Sequence, residues 1–223
     1  MKALNRPWKG HVWTGACVKN LLKLARLGAM GLLLTLAGCV TTAENSLSQN
    51  DIAGMKLTGV TVSYAPDAFV QWEDGVRAYA VSKSIPDHEI TERTNTPEAK
   101  DFVRSMLAPK IKGAIEKEMA GQLIGTRPVR LDIVVKRFQL PSAVQRVLIG
   151  GHRVMTADAN LVDARSGAVI IANADLSAFL YAGQGIVGAA VQAAVDNASQ
   201  EGVVEKLADI YGANYRNWLL RKA

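Results

Sequence analysis

Acidic residues and long apolar runs are both missing from the first part of this 223-residue chain. No Asp or Glu precedes Glu44, whereas six basic residues do: Lys2, Arg6, Lys9, Lys19, Lys23 and Arg26. The uncharged run at residues 27–38 has twelve residues, and a helix that spans a bilayer needs about 20. This order of basic, apolar and small residues predicts a secretory signal peptide over residues 1–38.

Cysteine is also scarce, since Cys17 and Cys39 are the only two in the chain. Cys17 would be removed with the leader, so no disulfide can form within the mature chain. The tetrapeptide Leu-Ala-Gly-Cys that ends at Cys39 resembles the lipobox of bacterial lipoproteins. That resemblance implies cleavage before Cys39 and acylation of its thiol, which anchors the protein to a membrane. Val40 replaces the Asp that keeps many lipoproteins in the inner membrane, so the periplasmic face of the outer membrane is predicted.

The predicted mature chain also lacks an excess of positive charge. The whole sequence has a formal net charge of +6, and the six basic residues of the leader account for it. From Cys39 onward, 20 Lys and Arg residues balance 20 Asp and Glu residues. A neutral domain gives no reason to expect nucleic acid as a partner.

Patterns for metal binding or nucleophilic catalysis are missing too. His88 and His152 are the only histidines of the mature chain, and Glu92 stands where the metalloprotease pattern H-E-x-x-H requires its second histidine. Two histidines without a free cysteine make a three-ligand zinc site improbable. No G-x-S-x-G elbow occurs. We therefore expect no metal and no cofactor.

Residues 183–188, Gly-Gln-Gly-Ile-Val-Gly, do match the dinucleotide-binding pattern G-x-G-x-x-G. Such a site needs a second parallel strand with an acidic residue near its end, whereas the residues after Gly188 follow a helical periodicity. We interpret the segment as a helix start made of small residues. Gly185, Gly188, Ala189 and Ala190 form a candidate contact surface for a partner helix or a lipid.

The periodicity of the mature chain predicts a two-layer α+β sandwich in the order β-α-β-β-β-α. We expect an antiparallel sheet of about four strands, at residues 57–64, 129–138, 152–163 and 168–181, with two helices on one of its faces. The first helix begins after Thr96 and ends before Gly125, and the second covers residues 186–220. Residues 39–54 are interpreted as the lipidated cysteine and a flexible tether, which leaves residues 55–223 as a single periplasmic domain.

Several local features are specific enough to test. The first helix carries an apolar stripe at every fourth residue, and Pro109 within it predicts a kink or a split. The turn at residues 163–167 ends in Gly167, which can take a positive φ and join two strands. The buried face of the last strand is predicted at Ile170, Ala172, Ala174, Leu176 and Leu180. Residues 67–95 are irregular, which is often where function lies.

Residues 131–138, 150–152 and 161–167, together with the lipobox, resemble a family of uncharacterised lipoproteins from alphaproteobacteria. That resemblance implies no established activity. More distantly, the order of strands and helices looks like that of auxiliary lipoproteins of lipid-transport systems, which act as binding partners rather than as enzymes.

These observations favour a membrane-anchored, non-enzymatic module that binds another envelope protein or a lipid. One alternative is a periplasmic enzyme whose site uses Trp72, Glu73, Asp74 and His88 of the irregular segment. It requires these side chains to converge in one pocket. Another alternative is a structural subunit that associates through the glycine-rich start of the last helix.

Overall fold

The computed structural model describes residues 44–141, 152–180 and 202–221, all within one compact unit, Ala43–Ala223. The described residues form four strands: β1 (Met55–Trp72), β2 (Arg127–Leu140), β3 (Arg153–Asp163) and β4 (Val169–Leu180). They also form five α-helices: α1 (Gln49–Ala53), α2 (Glu73–Ser82), α3 (Ile90–Arg93), α4 (Pro97–Met119) and α5 (Val203–Leu220). A 3₁₀ turn, Asp87–Glu89, precedes α3.

The sheet has the order β1-β2-β3-β4, and α4 and α5 pack on the face that carries its apolar side chains. The predicted α+β sandwich is confirmed. The predicted antiparallel arrangement is wrong for one pair, because β1 and β2 run parallel, whereas β2, β3 and β4 are antiparallel neighbours. A parallel pair needs a long crossover, and the chain from α2 to α4 supplies it.

Alternating side chains give the sheet one buried face and one wet face, as the period of two predicts. In β2, Leu131, Ile133 and Val135 are fully buried. On the opposite face, Arg130 pairs with Asp132 at 2.6 Å. In β3, Met155, Ala157, Ala159 and Leu161 are likewise fully buried.

Helix α4 begins as the sequence predicts. The hydroxyl of Thr96 accepts a hydrogen bond from the amide of Ala99 at 3.2 Å, and Pro97 occupies the first turn. The predicted stripe is buried, with Val103, Leu107, Ile111, Ile115 and Met119 in the core. The helix is not split at Pro109, which lies on its exposed side. An exposed position leaves the carbonyl that loses its amide partner accessible to water.

The inner face predicted for β4 is wrong in its first half. Ile171 and Asn173 are buried there, whereas Ala172 and Ala174 are exposed. A register shift opposite Asp158 gives β4 one more residue than β3, and such a bulge moves later side chains to the other face. From Leu176 onward, the predicted alternation holds.

The predicted flexible tether is wrong for residues 45–54, which we call the amino-terminal strap. The side-chain amide of Asn45 donates to the carbonyl of Leu219 at 2.7 Å. Ser48 and Asp51 form a capping box at the start of α1, and Ile52 is buried in the core. Polar residues that suggested a tether instead cap α1 or form hydrogen bonds to α5.

Helix α5 confirms the last part of the predicted carboxyl-terminal helix, with Val204, Leu207, Tyr211 and Tyr215 buried. Four earlier predictions lie outside the described residues: the leader, Cys39, the glycine pattern at 183–188 and the contact surface at Gly185, Gly188, Ala189 and Ala190. Within the described part of the chain, no helix is long and apolar enough to cross a membrane.

Candidate functional site

The irregular segment at residues 67–95 becomes the wall of a groove at one end of the sheet. Two adjoining hollows form this groove, and they share Val70, Val76 and Thr94 as lining residues. The first has a volume of about 670 Å³ and lies between the end of β1 and the start of α4. The second has about 580 Å³ and lies between β1, α2 and α3.

The first hollow exists because β1 bulges away from its neighbour. Tyr64 pairs with Val135 and Phe69 pairs with Arg137, so residues 65–68 oppose Lys136 alone. Pro66 lies within this bulge, and β1 is an edge strand, where a proline costs no ladder hydrogen bond. Pairing with β2 continues at Phe69, and 49% of the surface of Phe69 is exposed.

Arg104 of α4 holds the bulge in place. Its guanidinium lies 5.5 Å from the centre of the Tyr64 ring and donates to the carbonyl of Ala68 at 3.3 Å. The hydroxyl of Tyr64 donates to the carbonyl of Arg104 at 3.0 Å. Burial raises the pKa of Tyr64 above its ordinary value, and the nearby guanidinium offsets part of that rise. Tyr64 therefore acts here as a neutral donor.

Helix α2 is fixed against α4 and forms the second wall. A Cβ at Gly75 would lie 2.5 Å from the Trp72 ring, so only glycine allows this close approach. Tyr79 packs edge-on against Phe102 with ring centres 5.5 Å apart. Lys83 pairs with Glu98 at 2.7 Å, and its hydrogen bond lowers the pKa of that carboxyl. These contacts hold α2 against α4, so the wall that α2 contributes to the groove is a fixed part of the fold.

The four side chains of the enzyme hypothesis do not come together. Trp72 and Glu73 line the second hollow, but Trp72 is largely buried and Glu73 pairs with Arg77 at 2.8 Å. Asp74 is exposed and lines neither hollow. The side chain of His88 is 80% exposed. This set therefore does not form a general acid and base pair that faces one substrate.

The groove suits an amphipathic ligand better than a metal ion. Its lining combines apolar side chains with charged side chains of both signs: Phe69, Val70, Val76, Ile90 and Leu140, with Asp67, Lys100, Asp101, Arg104, Arg77 and Asp87. Apolar lining with a few polar groups is typical of ligand pockets. Among the described residues, no three His, Cys, Asp or Glu side chains are placed to bind a metal together.

Sequence reasoning located the irregular segment but missed the groove. The aromatic and β-branched residues Phe69, Val70 and Trp72 were a usable signal that β1 continues beyond Pro66. The packing of α2 on α4 had no such signal, because it depends on contacts between Gly75, Trp72 and Val103.

Comparison with known proteins places the carboxyl-terminal half of the chain in a recognised group. A family model described as a family of unknown function, DUF6778, matches residues 106–220. No curated protein matches the chain.

Three solved structures are among those similar to this chain. A putative lipoprotein from Caulobacter crescentus is 18% identical with a TM-score of 0.33, over 51% of this chain and 80% of that one. A PelC dodecamer from Paraburkholderia phytofirmans is 12% identical with a TM-score of 0.34, over 78% and 94%. A DUF330 protein from Xanthomonas campestris is 14% identical with a TM-score of 0.36, over 81% and 91%. Likeness at this level carries no functional inference.

Proposed function

The chain belongs to the family of unknown function DUF6778, whose model spans residues 106–220, and we propose that it is a membrane-anchored lipoprotein of the cell envelope. In this proposal it acts as a non-enzymatic binding or accessory module. The lipid is attached to Cys39, and the groove holds an envelope protein or a lipid.

The observation that carries the proposal is the position of Cys39. It ends a short apolar run behind a basic, acid-free leader, which is the order of a lipoprotein signal peptide. The folded domain starts shortly afterwards, since Asn45 is already hydrogen-bonded to α5. A single acyl chain binds membranes only marginally, so lasting attachment requires more than one acyl chain or a second contact with the bilayer. Val40 supports the outer membrane as the destination.

Exchange of Cys39→Ala tests the anchor, and Cys17→Ala is its matched control. The Cys39→Ala protein should keep its leader, fail to incorporate an alkyne-tagged fatty acid and leave the outer-membrane fraction on a density gradient. The Cys17→Ala protein should be cleaved and labelled like the wild type, because Cys17 lies in the discarded leader. Normal acyl labelling of the Cys39→Ala protein would overturn the anchor.

The binding role rests on the groove. Its apolar lining is open to a ligand, and its walls are fixed by the Gly75–Trp72 contact and by the Arg104 hydrogen bond to Ala68. A preformed groove binds without the entropy cost of ordering its walls. The carboxylates near it are paired or scattered, so a binding role fits this groove better than catalysis does.

A photoreactive benzoyl-phenylalanine at Phe69 tests this role. Phe69 lines the groove, and Phe179 is a matched control because it is an aromatic residue of the same sheet with nearly the same exposure, 47% against 49%. Irradiation of intact cells should give an adduct at position 69 that position 179 does not give. The mass of the adduct tells a protein from a lipid. Equal adducts at both positions, or none at 69, would contradict groove binding.

A further inference from the structure

The chain enters the folded domain at a defined place, the carboxyl-terminal end of α5. Asn45 donates to the carbonyls of Leu219 at 2.7 Å and Trp218 at 3.3 Å. Arg221 closes the contact from the other side, with one guanidinium nitrogen 2.6 Å from the carbonyl oxygens of both Asn45 and Leu47. The amino-terminal strap is therefore clamped from its first residue.

This clamp shortens the connection to the membrane that the proposed anchor at Cys39 provides. Cys39 and Asn45 are six residues apart, and six fully extended residues span at most roughly 20 Å. A domain of about 180 residues is roughly 40 Å across. The free chain between Cys39 and Asn45 is thus shorter than the domain. The end of the domain that carries Asn45 must therefore stay beside the bilayer.

The same end contains the last turn of α4 and the first residues of β1 and β2. Arg216 of α5 pairs with Glu118 of α4 at 2.6 Å, which places the ends of both helices together. The strap leads directly into β1 at Met55, and the amide of Gly125 donates to the carbonyl of Met55 at 2.7 Å. The loop at residues 120–126 therefore lies beside the strap.

Ile124 projects from this loop into solvent. Its exposure of 81% is the highest among the large hydrophobic side chains of the described residues. The loop is held firmly, because the amides of Thr126 and Arg127 both donate to the carbonyl of Gly54. A Cβ at Gly125 would lie 2.3 Å from that carbonyl, so the two chain segments touch. The Ile124 side chain is therefore held at a fixed position on the surface, where it is accessible to a contact from outside the domain.

Basic side chains lie next to Ile124. Lys56 is its partner in an isolated bridge between the loop and β1. Arg127 follows three positions later; it pairs with Asp163 at 3.3 Å, and 52% of its side chain stays exposed. Apolar side chains that enter the acyl boundary, with Lys or Arg facing the headgroups, are the usual composition of a surface that binds anionic lipid.

We propose that the loop at residues 120–126 contacts the bilayer, with Ile124 inserted at the lipid interface and Lys56 and Arg127 facing anionic headgroups. This second contact complements the acyl anchor and fixes the orientation of the domain. Helix α4 runs from the groove at Pro97 to the membrane end at Met119, about 33 Å for 23 helical residues. The groove therefore opens away from the bilayer. The inference rests on the proposed lipid anchor.

The test uses the full-length lipidated protein in vesicles of phosphatidylethanolamine and phosphatidylglycerol. Each variant carries one new cysteine, Ile124→Cys or Val81→Cys, labelled with an environment-sensitive fluorophore. Val81 is the matched control because it is 79% exposed and lies on α2, the helix that forms one wall of the groove. Acylation of Cys39 and loss of Cys17 leave the new cysteine as the only thiol to label.

The label at 124 should be quenched several-fold more by brominated lipids than the label at 81. Equal, weak quenching at both positions in vesicles that retain the protein would overturn the orientation and leave the anchor intact. Failure of the wild-type protein to float with the vesicles would overturn the anchor, and the orientation with it. Stronger quenching at 81 would show that the domain lies on its groove side, which also overturns the inference.

Discussion

At the scale of single residues, two tyrosines of α5 occupy similar places with different hydrogen bonding. Tyr211 and Tyr215 are one helical turn apart and are both fully buried. The hydroxyl of Tyr211 donates to the carbonyl of Ala157 at 3.0 Å, beside the β3–β4 register shift. The hydroxyl of Tyr215 has no hydrogen-bond partner among the described residues. Burial raises the pKa of both groups, so both are neutral at physiological pH.

Removal of these hydroxyl groups should change stability in opposite directions. Tyr211→Phe removes the hydrogen bond to the Ala157 carbonyl and should lower the free energy of unfolding by about 1–2 kcal/mol. Tyr215→Phe removes a hydroxyl that is desolvated on folding without compensation, and it should raise the same quantity by up to about 1 kcal/mol. Urea unfolding of the two variants beside the wild type measures both effects.

The two exchanges control for each other, because each removes one oxygen from the same residue type on the same helix. A loss of stability in Tyr215→Phe equal to that in Tyr211→Phe would contradict the assignment. It would mean that the Tyr215 hydroxyl has a partner that the contacts of the described residues do not include.

At the scale of helices and strands, the elements with strong local signals were predictable. The Thr96-Pro97 cap fixes the start of α4, and Gly167, with φ of +74°, closes the β3–β4 turn as predicted. These features depend on neighbours in sequence, since a capping hydroxyl or a positive φ acts within a few residues. Local chemistry was therefore enough to place them.

The errors at this scale come from contacts between distant residues. The bulge of β4 near Asp175 depends on Asp158 in β3, whose carboxylate accepts the Asp175 amide at 2.9 Å. Lys136 of β2 pairs with both carboxylates, at 2.7 and 2.8 Å. The sequence of β4 alone contains no signal for this register shift, because side chains of β2 and β3 stabilise it. The parallel pairing of β1 with β2 was missed because strand direction is set by the crossover, not by alternation.

The candidate site was predictable only as a location. The irregular composition of residues 67–95 pointed to a segment that forms a wall of the groove, but the four side chains expected to converge there do not. Trp72 is used for packing against Gly75, and His88 faces solvent. The groove itself depends on the bulge at residues 65–68 and on Arg104, which is distant in sequence. Its shape follows from tertiary packing.

At the scale of the whole molecule, the amino-terminal strap connects the beginning of the described sequence to its last helix, α5. Asn45 and Arg221 are separated by almost the entire described sequence, yet each bonds to the other's segment. Ile52 adds an apolar contact with the core. The strap therefore sets how much free chain is left between the domain and Cys39, and so how the domain is held at the membrane.

Exchange of Asn45→Ala should release this strap. The variant loses the hydrogen bonds from the Asn45 amide to the carbonyls of Leu219 and Trp218, which should lower the free energy of unfolding by about 1–2 kcal/mol. Amide hydrogen exchange over residues 45–54 should become roughly tenfold faster, since 1.4 kcal/mol corresponds to a factor of ten. Asn50→Ala is the matched control because Asn50 is exposed on α1, and it should stay within about 0.5 kcal/mol of the wild type. If amide hydrogen exchange in both variants is as slow as in the wild type, Asn45 does not hold the strap. A short connection between the domain and Cys39 would then have no support.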